Sequence, residues 1–117
     1  MTAPEVPLVS VVTISRDDPA GLRATLASTR AQRHPRIEHL VIDGGSGPEV
    51  ERLLRDTAPD YWQSRPDAGR YDAMNQGIAR AGGEVLWFMH SSDTFADPDA
   101  VGSAVGALSG SGPVRDA

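Results

Sequence analysis

The chain has 117 residues, of which 39% are hydrophobic and 23% charged, and its net charge is −5. This composition is typical of one globular domain, and the negative charge argues against a nucleic-acid-binding protein. The absence of cysteine excludes disulfides, thiolate nucleophiles and zinc–sulfur sites, and no apolar run approaches the roughly 20 residues of a membrane-spanning helix.

All 11 basic residues are arginine, because the chain contains no lysine. This excludes a phosphate-loop lysine, a Schiff-base lysine and a phospho-receiver lysine. A bound anion must therefore be met by arginine, backbone N–H groups, a helix N-terminus or a metal. The first residues lack the basic and apolar parts of a signal peptide, so we expect a cytoplasmic protein.

The first half of the chain alternates strand and helix patterns. Residues 8–15 are β-branched and nearly all apolar, as in a buried parallel strand. Asp18 is a good N-cap and Pro19 suits the first position of a helix that runs to about Gln32. Residues 36–43 predict a second strand. Ser46 and Glu49 predict a capping box at the start of a second helix that has Pro48 in its first turn.

The second half repeats the alternation, and the glycine pair at residues 82–83 ends the third helix. A last helix is expected to begin at Asp97–Pro98. The order β-α-β-α-β-α-β-α predicts a parallel sheet with helices on both faces, the fold of a Rossmann-like α/β domain. The predicted elements here are a strand at 61–64, a helix at 70–81, a strand at 84–89 and a helix to 108, which leaves residues 1–7 and 109–117 as tails, the latter flexible in composition.

Polar side chains gather where the predicted strands end. Asp43 follows the second strand and Asp93 the fourth, and the carboxyl ends of parallel strands meet at one edge of the sheet, where ligands bind. Carboxylate oxygens suit Mg²⁺ or Mn²⁺, which can bridge to phosphate. The edge therefore predicts a nucleotide diphosphate held with a divalent metal.

Each residue also has a plain structural interpretation. The segment that begins at Asp43 could be a tight strand–helix turn. Asp93 could cap the helix near Pro98, although Asp97 is better placed for that role. His90 at a strand end is more often a satisfied polar residue than a ligand.

Four segments together resemble the motifs of a known family. They are SVVTIS at residues 10–15, LVIDGGS at 40–46, DAGRYDAMNQGI at 67–78 and GEVLWFMHSSD at 83–93. The chain resembles, over residues 8–100, the N-terminal nucleotide-sugar-binding half of a family 2 glycosyltransferase of the GT-A fold.

The resemblance implies a set of residue roles. Asp43 matches the aspartate that reads the nucleotide base, usually uracil, and Asp93 matches the metal-binding aspartate of a DxD-type motif. Only one carboxylate stands in that motif here, so phosphate and water are expected to supply the other metal ligands. The implied nucleotide contacts are Thr13, Ser15, Asp43, Arg70 and Ser92, and the implied contacts to donor sugar or phosphate are Asp67, Asp72 and Asn75.

The resemblance also implies an activity. It is the transfer, with inversion, of a sugar from a nucleotide-diphosphate donor, UDP-sugar by expectation, to a glycan or glycolipid acceptor. Family members use Mn²⁺ or Mg²⁺ and work in cell-envelope glycan synthesis, in the cytoplasm or at the inner face of the membrane. The acceptor-binding half and the general base of the family lie beyond residue 117, so the chain is expected to be truncated.

Two other functions stay open at this point. Loss of the acceptor half would leave a nucleotide-sugar-binding module without turnover, and exposure of the surface it covers could produce a homodimer. A phospho-receiver-like signalling domain has a similar length and also carries aspartates at strand ends. The missing lysine and the glycine-rich turn after Asp43 argue against that last function.

Overall fold

The computed structural model describes residues 6–110 as one α/β sandwich in which strands and helices alternate. Within residues 6–110 no helix combines the length and apolar character needed to cross a bilayer. The elements are β1 (Val9–Ser15), α1 (Pro19–Arg30), β2 (Ile37–Asp43), α2 (Pro48–Thr57), β3 (Tyr61–Ser64), α3 (Arg70–Arg80), β4 (Val85–His90) and α4 (Ala100–Gly110).

The four strands form a parallel sheet in the order β3-β2-β1-β4. Ser15 lies opposite Asp43, and Asp43 lies opposite Ser64, while Ile14 lies opposite His90. The last residues of all four strands therefore line one edge. The predicted α/β fold with a parallel sheet is confirmed, including the short third strand.

Helices cover both faces of the sheet. Val41 packs against α1 and α2, and Val11 packs against α4. Because Thr13 is paired with Val41, and Val11 lies two residues before Thr13 on β1, these side chains point to the same face. Val12 and its neighbours on the other face pack against α3. Burial on both faces explains why β1 is a continuous apolar run instead of an alternating one.

Helix α3 approaches the sheet closely at a glycine. A Cβ atom at Gly77 would collide with the Cγ1 atom of Val12, which is itself fully buried in β1. A residue larger than glycine would push α3 away from the sheet. Since α3 begins at the candidate ligand edge, Gly77 helps to set the position of that edge.

The helix termini differ from the sequence prediction in two places. Asp18 caps α1 as expected, with its Oδ1 accepting from the Gly21 N–H at 3.0 Å. The predicted capping box is wrong: α2 is capped by Gly47 with no side-chain hydrogen bond, because the Ser46 hydroxyl donates to Asp43.

The last helix was also misplaced by the sequence pattern. It begins at Ala100, because Asp97 accepts from the N–H of Asp99 at 2.8 Å and holds a turn before the helix. The helix continues to Gly110, two residues into the predicted C-terminal tail. The rest of that tail, 111–117, and residues 1–5 lie outside the described residues.

His39 is a buried imidazole in the sheet. Its Nε2 atom lies 2.7 Å from the hydroxyl of Thr13, and its backbone N–H donates to Asp60 Oδ2 at 2.7 Å. Burial lowers the pKa of His39 to about 4, with Asp60 opposing this change and Arg30 adding to it. The imidazole is therefore neutral in the folded protein at neutral pH.

Substitution of Gly77 by alanine should lower the free energy of unfolding by about 1–3 kcal/mol, because the added methyl collides with Val12. Gly106→Ala is the matched control, since no atom lies within 4 Å of its added Cβ atom. The free energy of unfolding of the control should rise by about 0.5–1 kcal/mol, because alanine has a higher helix propensity than glycine. Urea unfolding measures both, and equal effects would contradict the close contact.

Acid should destabilise the protein through His39. The pKa is 6.5 when unfolded and about 4 when folded, so the unfolded chain binds the extra proton between these values. The contribution of neutral His39 to the free energy of unfolding is complete above pH 6.5. It is lost as the pH falls toward 4, by roughly 3 kcal/mol. Urea unfolding across this window measures the slope, which His39→Gln should flatten. An unchanged slope in the variant would assign the effect to another group.

Candidate functional site

Asp43 joins the carboxyl ends of three strands. Its Oδ1 accepts from the hydroxyls of Ser15 and Ser46, both at 2.6 Å. Its Oδ2 accepts from the Ser64 hydroxyl at 2.7 Å and from the N–H groups of Ser46 at 2.8 Å and Gly45 at 3.1 Å. The five donors come from β1, β3 and the turn after β2. We call Asp43 with these donors the Asp43 cluster.

The carboxylate at the centre of the Asp43 cluster has no surface to offer a ligand. Asp43 is fully buried. Burial raises its pKa, but the hydrogen bonds from Ser15, Ser46 and Ser64 outweigh that effect and hold the pKa below its ordinary value. Five donors occupy the oxygens of the carboxylate, so Asp43 could contact a nucleotide base only if one of these bonds opened.

Of the two residues predicted on β1, the structure places one at the edge. Ser15 is the last residue of β1 and lies in the Asp43 cluster. Thr13 is fully buried inside the sheet, where it is bonded to His39. The side chain of Thr13 points toward α1 and α2 and not toward the strand ends, so its contact with a nucleotide stays a prediction without an exposed surface behind it.

A cavity of about 220 Å³ opens beside the Asp43 cluster. It combines two guanidinium groups with one carboxylate, so an anion with polar groups of its own suits it. Arg16 and Ser91 were assigned no role from the sequence, although each directly follows the last residue of its strand. The lining residues are Ile14, Ser15, Arg16, Asp67, Gly69, Arg70, His90 and Ser91, and we call this space the edge cavity.

Asp67 and Asp72 shape the loop beneath the edge cavity. Asp67 Oδ1 accepts from the Gly69 N–H at 2.9 Å, while its Oδ2 has no hydrogen-bond donor among residues 6–110. Asp72 Oδ2 accepts from the N–H of Ala68 at 2.8 Å and from Gln76 at 3.1 Å. Asp67 therefore offers a free oxygen to the cavity and Asp72 braces the loop. Asn75 is exposed on α3 and lies outside the cavity lining.

The turn after β4 is tied to the start of α1. The Ser92 hydroxyl donates to Asp18 Oδ2 at 2.9 Å, and Ser92 adopts φ +81°. This bond, together with the N–H of Gly21, holds the pKa of Asp18 below its ordinary value. The conformation of Ser92 is unusual for a residue with a side chain, and the Asp18 bond fixes it.

Asp93 lies at the same turn and is more than half exposed. Its Oδ2 accepts from the backbone N–H of His90 at 2.8 Å, while its Oδ1 has no donor within residues 6–110. No group of three His, Cys, Asp or Glu residues in the described part of the chain could hold a metal ion. The residues fit a metal that takes one oxygen from Asp93 and its other ligands from phosphate and water.

Comparison with known proteins finds similar sequences over most of the chain. The model of the glycosyl transferase family 2 matches residues 10–114. An uncharacterized glycosyltransferase of Mycobacterium tuberculosis is 60% identical over 113 residues, which are 94% of this chain and 43% of that protein. A PGL/p-HBAD biosynthesis glycosyltransferase of Mycobacterium bovis is 31% identical over 98 residues, 80% of this chain and 38% of that protein. The chain thus spans less than half the length of these relatives.

Solved structures share the fold. The mannosyltransferase PcManGT of Pyrobaculum calidifontis, in complex with GDP-Man and Mn²⁺, superposes with a TM-score of 0.81 at 20% identity, covering 88% of this chain and 32% of that one. TarS of S. aureus in complex with UDP-GlcNAc superposes with a TM-score of 0.77 at 18% identity. The match covers 86% of this chain and 31% of the TarS chain. At these identities the likeness establishes the fold.

Asp43→Asn should lower the free energy of unfolding by about 2–4 kcal/mol, because charge-assisted hydrogen bonds to a buried carboxylate are lost. Asp56→Asn is the control, since Asp56 is exposed and has no hydrogen bond or ion pair within residues 6–110. The control should stay within about 0.5 kcal/mol. Thermal and urea unfolding measure both variants. An unchanged stability of Asp43→Asn would contradict the organising role.

Proposed function

Since the chain belongs to glycosyltransferase family 2, we propose that it binds a nucleotide-diphosphate sugar in the edge cavity and serves the transfer of that sugar with inversion. The edge cavity itself carries the proposal, because it brings Arg16, Arg70, Ser15 and Asp67 together at the carboxyl edge of a parallel sheet. UDP is the nucleotide we assign.

The diphosphate has two cationic partners in the cavity. Arg16 forms a weak, exposed ion pair with Asp17 at 3.8 Å, and Arg70 forms no ion pair among residues 6–110. Both guanidinium groups can therefore turn to phosphate oxygens with little loss. The free Oδ2 of Asp67 can accept a hydrogen bond from the base or from a sugar hydroxyl.

Asp93 is the residue we assign to a divalent metal. The metal would stabilise the negative charge that develops on the leaving diphosphate. Because one protein carboxylate holds it, the metal should bind together with the nucleotide and not before it. The N–H of His90 keeps the Asp93 carboxylate oriented while its second oxygen stays available.

Inverting transfer also requires a base that takes the proton of the acceptor hydroxyl. We assign this base to none of residues 6–110, and the role we propose for these residues is to bind the donor. We propose a glycan or a glycolipid as the acceptor. The phospho-receiver function has lost its support, because Asp43 is fully buried and has no exposed oxygen to receive a phosphoryl group.

Asp93→Asn should remove the enhancement of UDP binding by Mn²⁺ while leaving metal-free UDP binding unchanged. The amide keeps the shape of the turn but is a much weaker metal ligand. Calorimetric titration of UDP with and without Mn²⁺ measures the effect. Asp99→Asn is the control, because Asp99 forms an exposed ion pair with Arg33 away from the edge cavity. Equal Mn²⁺ enhancement in wild type and Asp93→Asn would contradict the metal assignment.

A further inference from the structure

A second cavity lies at the opposite edge of the sheet. It has a volume of about 300 Å³ and is formed by the end of α1, the start of β2 and the loop between α2 and β3. None of its lining residues belongs to the edge cavity. We call it the basal cavity. The proposed donor site therefore does not account for the polar groups that line the basal cavity.

One residue that lines the basal cavity carries a buried imidazole. His39 lines the cavity although the residue is more than nine-tenths buried. Thr13 Oγ1 has no partner within residues 6–110 besides His39 Nε2. If Nε2 donated this bond, the buried hydroxyl hydrogen of Thr13 would stay unpaired, at a cost of about 1–3 kcal/mol. We therefore assign the shared hydrogen to the Thr13 hydroxyl and the ring proton of His39 to Nδ1.

The Nδ1–H group of His39 has no acceptor in the described part of the chain, and it is not the only unused group. Arg30 uses Nη2 to donate to the carbonyl of Thr57 at 2.7 Å, and its other N–H groups have no acceptor within residues 6–110. Asp60 uses Oδ2 to accept from the His39 N–H, and its Oδ1 accepts no bond within residues 6–110. The cavity thus presents two free donors and one free acceptor.

The charges of the basal cavity select against ions. Arg30 opposes a cation, and Asp60 opposes an anion. Helices α1 and α2 end at the cavity, at Arg30 and Thr57, so the negative ends of both helix dipoles also disfavour an anion. A neutral ligand with hydroxyl groups can use donors and acceptors at the same time. Pro59 and Ile37 add apolar walls against which C–H groups can pack.

We propose that the basal cavity is a carbohydrate-binding site that takes one neutral hexopyranose unit of a glycan, with Arg30 and His39 donating to its hydroxyls and Asp60 accepting from one of them. The site is separate from the edge cavity, so this proposal does not depend on the donor assignment.

The test is titration of the whole chain with methyl hexopyranosides, followed by ¹H–¹⁵N correlation spectra. We expect saturable shifts at Arg30, His39 and Asp60. Arg30→Gln and Asp60→Asn should each weaken binding by about tenfold, the effect of losing one hydrogen bond to a charged group. Both residues are exposed, so the variants should keep the fold, and the dispersion of the same spectra checks this.

Arg23→Gln and Asp56→Asn are the matched controls, because Arg23 is exposed on α1, Asp56 is exposed on α2, and neither residue lines the basal cavity. They should bind like the wild type. The proposal is overturned by the absence of saturable shifts, by shifts confined to the edge cavity, or by unchanged affinity in Arg30→Gln and Asp60→Asn. Shifts at the basal cavity with inorganic phosphate and none with the glycosides would also overturn it. Titration with UDP on the same sample reports separately on the donor site.

Discussion

The arrangement of the carboxyl ends of the strands depends on one buried carboxylate. Asp43 accepts five hydrogen bonds from β1, β3 and the turn after β2. A charge can stay buried only where such donors replace water, and here each donor belongs to an element whose end must be placed. The hydroxyl of Ser46 also accepts from the N–H of Asp17 at 2.7 Å, which links the segment after β1 to the cluster.

The edge cavity follows from this constraint. Once the ends of β1 and β2 are held together, Arg16 and the Asp67 loop meet over the backbone of Gly44, where a Cβ atom would lie 3.3 Å from Asp67 Oδ2 and 3.5 Å from Arg16. Gly45 next to it adopts φ +89°, a conformation that favours glycine. Gly44 and Gly45 therefore let the turn donate to Asp43 on one side while Arg16 and Asp67 approach the backbone of the turn on the other.

The sequence was sufficient to predict the fold, because each element has a strong local pattern. The apolar run of β1, the Asp18–Pro19 start of α1 and the glycine pair after α3 all depend on neighbouring residues in the chain. The error at the start of α2 arose where two parts of the structure compete for one group. Ser46 and Glu49 form a valid capping pattern, but the Ser46 hydroxyl is used by Asp43 instead. No local signal reports that competition.

The sequence predicted a group of polar residues at the strand ends, but it could not predict the place of each residue in the candidate site. Thr13 and Ser15 differ by two positions on β1, yet one is buried against His39 and the other lies at the edge. Which residue reaches the edge depends on the register with β2 and on where the strand ends. The basal cavity has no motif at all, since Arg30, His39 and Asp60 come from three separate segments.

The measurement that tests the central claim most directly is a ¹H–¹⁵N correlation spectrum of the chain titrated with UDP and Mn²⁺. The edge cavity as donor site predicts saturable shifts in the backbone amides of Arg16, Gly69, Arg70 and Ser91, with Thr13 unaffected. Shifts confined to other surfaces, or no saturable shift in a folded sample, would contradict the claim that the Asp43 cluster builds a nucleotide site.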